Sequence, residues 1–259
     1  MIVNLKDTFN NVVTMYDAAR PTYPLELLND IKDFAEKSFF TRGLEIGAGT
    51  GQATDLFIKV INDLDIVEVG DKQVDYLMEK YKSENVNTYK AYFEDFKSNK
   101  KYDLIFSATA FHWVDATVGY PKVWDMLNDS GVLAVFWHIS SVTLHDTGIF
   151  VGLNEIKKKY LPEESLGFDK EGIEGVRQKR ISQIQSGNYF GIPVIKEYRW
   201  IDTYDADRYS LLLESYSSTQ TLDEEHKKLY LSEVRDYINS NGGVVEMPQH
   251  VMLYLVKKE

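Results

Sequence analysis

A chain of 259 residues, 44% of them apolar, is long enough to bury a full core as one domain or as one domain with an insert. It contains no cysteine, which excludes disulfide frameworks, thiolate metal sites and cysteine nucleophiles. A formal net charge of −11 argues against a polyanionic partner, because proteins that hold nucleic acid neutralise its phosphates with a basic stripe.

The chain opens on MIVNLKDTFN, with Lys6 and Asp7 where a secretory signal needs an uninterrupted apolar region, so a cytoplasmic location is expected. Pro24 suits the start of a helix near Leu25–Lys37. An apolar run at 43–47 predicts the first strand, and it ends in Gly47, Gly49 and Gly51, interleaved with Ala48 and Thr50. Glycines at alternate positions let the backbone turn off a strand end and lie against a ligand. A dinucleotide fingerprint requires a third glycine where Gln52 stands, and a phosphate loop requires a Gly-Lys-Ser/Thr ending that is missing.

A second strand at 64–69 ends on Glu68 and Val69. A helix follows, with Val74, Leu77, Met78 and Tyr81 at helical spacing. An acidic residue about 20 positions beyond a glycine turn is where nucleotide-binding folds hold ribose hydroxyls, since one carboxylate accepts from both. A third strand at 86–91 leads to Phe93 and Glu94, and a fourth at 102–107 leads to Ala108, His112 and Trp113. The fifth, near 131–138, is continuously apolar, as expected of a strand covered on both faces. Its run Val132–Trp137 is far short of the roughly 20 residues that span a membrane.

Residues 141–190 show helical and charged stretches without a clear strand and are read as a helical insert over the carboxyl edge of the sheet. Lys157–Lys159, Arg177, Lys179 and Arg180 lie here among Glu155, Glu163, Glu164, Asp169, Glu171 and Glu174, and read as solvated helix faces. Val194–Thr203 and Val244–Lys257 complete the strands. The alternation predicts an α/β, doubly wound, seven-stranded, mostly parallel sheet with an antiparallel last strand. It divides into a core at 1–140, the insert at 141–190 and a C-terminal part of the same sheet at 191–259. Ligands in such sheets bind beyond the carboxyl ends of the strands.

The segment Glu45-Ile-Gly47-Ala-Gly49-Thr-Gly51 resembles motif I of class I S-adenosylmethionine-dependent methyltransferases. Tyr16-Asp-Ala-Ala-Arg20-Pro-Thr-Tyr23-Pro24, Phe111–Asp115 and Leu211–Gly243 resemble a small-molecule subgroup that includes trans-aconitate methyltransferase-like proteins. Val69-Gly70-Asp71 departs from the proline and serine that many relatives carry there. The resemblance implies a Rossmann-like methyltransferase fold and S-adenosylmethionine as cofactor. It assigns the cofactor site to Arg20, Glu45, Gly47, Ala48, Gly49, Thr50, Gly51, Gln52, Glu68, Val69, Phe93, Glu94 and Ala108. Phe93 is the expected adenine-stacking ring. Tyr16, His112, Trp113 and Tyr216 would wall the acceptor, and Arg20 would pair with a carboxylate of cofactor or substrate. His112 is the candidate base, titrating near neutrality, with a wall residue as its alternative role.

The expected reaction is methyl transfer to a small molecule, at a carboxylate or hydroxyl oxygen, by a monomer or homodimer without metal, nucleic acid or membrane. Two alternatives stay open at the level of sequence. One is a non-catalytic protein that binds S-adenosylmethionine or S-adenosylhomocysteine. The other is a nicotinamide-dependent oxidoreductase, against which Gln52 counts.

Overall fold

A computed structural model describes residues 19–139, 148–161, 172–216 and 218–259. These residues fall into two compact units. The first holds 22–139, 172–198 and 251–259; the second holds 19–21, 148–161, 199–216 and 218–250. Tyr16 lies outside the described residues.

In the first unit, helix α1 (Leu25–Ala35) buries Leu27, Leu28, Ile31 and Ala35, apolar positions that share one face at helical spacing. It stops two residues before the expected Lys37, because Glu36 takes a left-handed conformation with φ 55°. Strand β1 (Phe40–Ile46) follows, then the glycine turn. A single short helical turn, α2 (Thr54–Phe57), follows the glycine turn. Strand β2 (Ile61–Glu68) and helix α3 (Asp71–Lys80) come next. Val74, Leu77 and Tyr81 are buried as the spacing predicts, but Met78 is exposed. Strands β3 (Val86–Lys90) and β4 (Tyr102–Ala108) are joined by the turn that carries Phe93. Helix α4 (Ala116–Met126), capped by the Asp115 side chain on the Thr117 N–H, leads into β5 (Leu127–His138), which starts four residues earlier than expected.

Within residues 141–190, helix α5 (Ile149–Tyr160) belongs to the second unit and helix α6 (Gly172–Gln185) to the first. The stretch is therefore not one structural body. Strand β6 (Val194–Asp205), helices α7 (Ala206–Glu214) and α8 (Glu224–Ser240), and strand β7 (Val244–Lys257) complete the chain. The second unit has its own core, in which Leu153 and Ile156 of α5 join Tyr209, Leu212, Tyr230 and Val234.

The sheet has seven strands in the order β3-β2-β1-β4-β5-β7-β6. Strands β1 to β5 pair in parallel, and β7 pairs antiparallel with β5. The expected doubly wound, mostly parallel architecture is the one observed. From Leu104 to Ser107 and from Val132 to Trp137 every residue is buried, which explains the unbroken apolar runs: helices or loops cover both faces of the central strands. The winding leaves β1 toward β2 and β3, then reverses toward β4 and β5. The switch point thus lies between β1 and β4. The registers Ile46↔Val67, Glu45↔Phe106 and Glu68↔Lys90 align the carboxyl ends of four strands along one edge.

Candidate active site

The glycine turn begins where β1 ends. Gly47, Gly49 and Gly51 have φ of 72°, 60° and 93°, the left-handed region that side-chain-bearing residues avoid. Two of these glycines also answer to packing. A Cβ on Gly47 would lie 2.5 Å from the Ala110 Cβ, and one on Gly51 would run into the Tyr81 hydroxyl. Gly49 has a different task. Its N–H donates to Glu68 Oε2 at 2.9 Å, tying the turn to the end of β2.

Glu68 is the electrostatic centre of this edge. Its Oε1 accepts from the Val69 N–H at 2.7 Å and the Gly70 N–H at 2.9 Å, so three backbone amides converge on one carboxylate. Burial pushes its pKa up, and the amide hydrogen bonds oppose that shift by favouring the charged form. Behind the turn, α3 supplies a clamp that the sequence reading missed. Lys80 Nζ donates to the Thr50 carbonyl at 3.1 Å and to Asp55 at 2.8 Å. The Tyr81 hydroxyl donates to Asp55 Oδ1 at 2.7 Å and reaches the Gly51 carbonyl at 3.1 Å. Gln52 folds back to donate to Thr50 Oγ1 at 2.6 Å.

Several expected cofactor residues are structural in this arrangement. Glu45 is wholly buried beneath the turn, where its Oε2 accepts from the Thr54 hydroxyl at 2.6 Å. Burial, with Glu68 nearby, pushes its pKa up to about 8, so it is protonated at neutral pH. It has no surface with which to touch a ligand. Phe93, the expected stacking ring, is 3% exposed; its faces are taken by the core, with Phe111 at 6.4 Å and Lys122 Nζ at 5.2 Å from its centre. Ala48, Thr50 and Gly51 are also buried. Gly47, Gly49, Gln52, Val69, Glu94 and Ala108 keep solvent-accessible surface along the edge. Glu94 accepts from the Asp115 N–H at 3.0 Å and so joins the segment after β3 to the start of α4.

At the end of β4, Thr109 takes φ 53°, a conformation that costs a β-branched residue on the order of 1–3 kcal/mol. Packing holds it there. Its N–H bonds the Phe136 carbonyl at 2.8 Å, and its hydroxyl meets Tyr23 at 3.0 Å and the His138 N–H at 3.3 Å. Just beyond it, His112 and Trp113 lie on a short helical turn (Phe111–Trp113), both exposed, with ring centres 4.8 Å apart.

Trp137 of β5 donates its indole N–H to His112 Nδ1 at 3.1 Å. Nδ1 is thereby an acceptor, and the proton of the neutral ring sits on Nε2. Desolvation around the ring, and then the Arg180 charge, push the His112 pKa down to about 4. The expectation that His112 titrates near neutrality is therefore corrected. Its indole partner and its cationic neighbour both favour the neutral ring.

Arg20 and Tyr216 belong to the second unit and meet there. Arg20 Nε donates to Ser215 Oγ at 3.1 Å, and the guanidinium lies 4.6 Å from the Tyr216 ring centre. Among the described residues no cluster of three or more histidines and carboxylates is placed to hold a metal ion.

Residues 44–135 match the family model described as a methyltransferase domain. The curated relatives are similar over about half of this chain. An uncharacterised methyltransferase-like protein of Schizosaccharomyces pombe is 29% identical over 146 residues, 55% of each chain. The probable S-adenosylmethionine-dependent methyltransferase CRG1 of Saccharomyces cerevisiae is 28% identical over 133 residues, 48% of this chain and 44% of that one. The chain thus spans about half the length of the curated relatives it matches. Among solved structures, a proposed type II methyltransferase of Anaeromyxobacter dehalogenans superposes with a TM-score of 0.59 at 19% identity, covering 92% of this chain and 96% of that one. A proposed antibiotic-biosynthesis methyltransferase of Anabaena variabilis gives 0.60 at 14% identity, over 92% and 98%. The fold is that of the Rossmann-like methyltransferases, and the domain match falls on the four strands whose carboxyl ends build the site.

Proposed function

We propose that this protein transfers a methyl group from S-adenosylmethionine to a small-molecule acceptor, with a carboxylate oxygen favoured over a hydroxyl. The observation that carries this reading is the alignment of the Gly47–Gly51 turn, Glu68, Glu94 and the 108–113 segment on one sheet edge at the winding switch point, inside the segment that matches the methyltransferase model. The match to a small-molecule subgroup resembling trans-aconitate methyltransferase-like proteins is part of the same proposal.

The residues present fit that cofactor. The left-handed turn leaves Gly47 and Gly49 without side chains where a ligand would approach. Glu68 spends three of about four carboxylate acceptor positions on amides. Its remaining position, and exchange of the Gly49 contact, serve the ribose hydroxyls. S-adenosylmethionine supplies a methyl carbon bonded to a positive sulfur, open to in-line displacement. The protein's share is alignment and exclusion of water, which is worth several kcal/mol of barrier.

The choice of acceptor follows from His112. A group with pKa about 4 is a weak base toward an alcohol, whereas a carboxylate is already ionised at neutral pH and needs no proton removed. The test has two arms. Heat-stability shifts with S-adenosylhomocysteine and with NAD identify the cofactor, and transfer of a labelled methyl group to panels of acids, alcohols and amines identifies the acceptor. A shift with NAD and none with S-adenosylhomocysteine overturns the reading. So does Gly49→Val binding S-adenosylhomocysteine as the wild type does, because the turn would then lie outside the site.

A further inference from the structure

The His112 ring is held on one side and open on the other. Its Nδ1 accepts the Trp137 indole N–H at 3.1 Å, and Trp137 is its only hydrogen-bond partner among the described residues. The ring keeps exposed surface on the short turn Phe111–Trp113, which Phe111 anchors in the core. That turn adjoins the glycine turn, because Ala110 at its start fills the space that a side chain on Gly47 would need. His112 thus belongs to a segment packed directly against the candidate cofactor turn, beyond the carboxyl end of β4.

Trp137 is packed so that its N–H direction is fixed. It is buried in β5, with Tyr254 of β7 edge-on at 5.7 Å and the Arg180 guanidinium carbon of α6 at 4.4 Å from its ring centre. Ile184, from the same end of α6, shares that core. An indole has one polar atom, and it only donates. A histidine facing water exchanges its proton between two nitrogens and can turn its ring over. One facing a fixed indole N–H must point a lone pair at it. Accepting at Nδ1 also polarises the ring and strengthens Nε2–H as a donor.

We infer that Trp137 is a positioning residue: it locks His112 in the tautomer with its proton on Nε2, and that N–H donates to a carboxylate or carbonyl oxygen of the acceptor molecule. Such a site takes groups that offer a lone pair and turns away ammonium groups, whose hydrogens would face the N–H. On a carboxylate, the donor holds one oxygen and leaves the other for the methyl carbon. No proton leaves the acceptor, so His112 orients it. The inference rests on the methyl-transfer reading for its acceptor, but the tautomer is measurable without any ligand.

The test uses the full chain with isotope-labelled histidine. Proton–nitrogen NMR through two bonds, with the His112 signals identified by their loss in His112→Gln, should show one tautomer at neutral pH, protonated on Nε2. Trp137→Phe should give a mixture, with a cooperative thermal transition reporting that the variant is folded. When the protein is saturated with S-adenosylhomocysteine, benzoate or succinate should shift the His112 Nε2 signal, and benzylamine should not. Trp137→Phe should weaken binding of that acid about fivefold, the scale of one hydrogen bond. The amide N–H of His112→Gln reaches the place of Nε2 and has no tautomer to lock. That variant should bind the acid close to the wild-type level, and adding Trp137→Phe to it should cost little. Equal costs of Trp137→Phe in the two backgrounds would make Trp137 merely structural and overturn the inference. A wild-type His112 protonated on Nδ1, or mixed between tautomers, overturns it even if Trp137→Phe does not fold, as does an Nε2 signal that neither acid moves. Failure of S-adenosylhomocysteine to bind the wild type overturns the methyl-transfer reading instead, and the ligand-free tautomer still decides this one.

Discussion

Glu45 has no solvent contact and one hydroxyl partner, so its ionised form is poorly solvated and its pKa rises from an ordinary 4.5 to about 8. A pKa raised on folding means that the folded state holds its proton where the unfolded chain has released it. The stabilisation is full below pH 4.5 and is lost as pH rises through about 8. Glu45→Gln should therefore flatten the fall of Tm between pH 5 and 8.5 and raise Tm at the alkaline end. Parallel Tm profiles for the two proteins would show that the carboxyl ionises freely in place. His112 has the opposite shift, from 6.5 down to about 4, so it is neutral throughout the physiological range. With a carboxylate acceptor, His112→Asn should keep most of kcat while raising KM, and neither protein should show an inflection in kcat near pH 6.5. An inflection there, lost in the variant together with about 100-fold or more in rate, would assign His112 as a general base. Neither shift is legible in sequence, because both depend on what surrounds the side chain rather than on its neighbours in the chain.

At the level of elements, the glycine turn is held from two sides. Glu68 binds the Gly49 amide in front, and Lys80 and Tyr81 of the α3 end bind the Thr50 and Gly51 carbonyls behind. The same helix therefore positions the turn that its preceding strand closes. Removing the Tyr81 hydroxyl leaves Asp55 and the Gly51 carbonyl with one partner fewer in a partly buried setting. Tyr81→Phe should cost about 1–2 kcal/mol of stability and weaken S-adenosylhomocysteine binding. The exposed Met78→Ala on the same helix should change stability by less than about 0.5 kcal/mol. Urea unfolding and calorimetry on both variants check this, and a Tyr81→Phe protein unchanged in both would remove the clamp. Sequence spacing places α3 and most of its buried stripe, but Met78 is exposed and the polar Gln73 is buried. A period of 3.6 residues says which side chains share a side of the helix, but the width of the covered stripe depends on what packs there.

Across the whole molecule, 40 acidic residues face 29 basic ones, and several cations of the first unit are held by internal partners. Lys80 bridges Thr50 and Asp55, Lys122 reaches the Glu94 and Phe96 carbonyls, and Arg177 pairs with Glu174 and Glu197. A long polyanion would meet net repulsion from a chain of formal charge −11. Labelled single-stranded RNA and duplex DNA should show no saturable binding at 50 mM salt or above, on the order of the conditions where basic nucleic-acid proteins bind tightly. Saturable, salt-sensitive binding by fluorescence anisotropy would overturn the small-molecule reading of the acceptor.

The sequence by itself determined the order and type of the central elements, the doubly wound sheet, the left-handed glycine turn and the acidic residue at the end of β2. These features are written in local patterns: apolar runs long enough for covered strands, glycines where the backbone must turn, and a spacing fixed by one strand–helix–strand unit. Only the tertiary structure decided which of the candidate residues keep exposed surface along the strand edge. Glu45 and Phe93 sit in the right segments, but their side chains point into the core, because the pleat and the turn set direction and the core takes what is apolar or can be protonated. Arg180 lies 68 positions after His112 and in a stretch that reads as solvent-facing, yet packing of Ile184 draws that turn of α6 onto Trp137. A contact between residues so distant in the chain leaves no periodicity behind, and only the folded chain brings Arg180 onto Trp137.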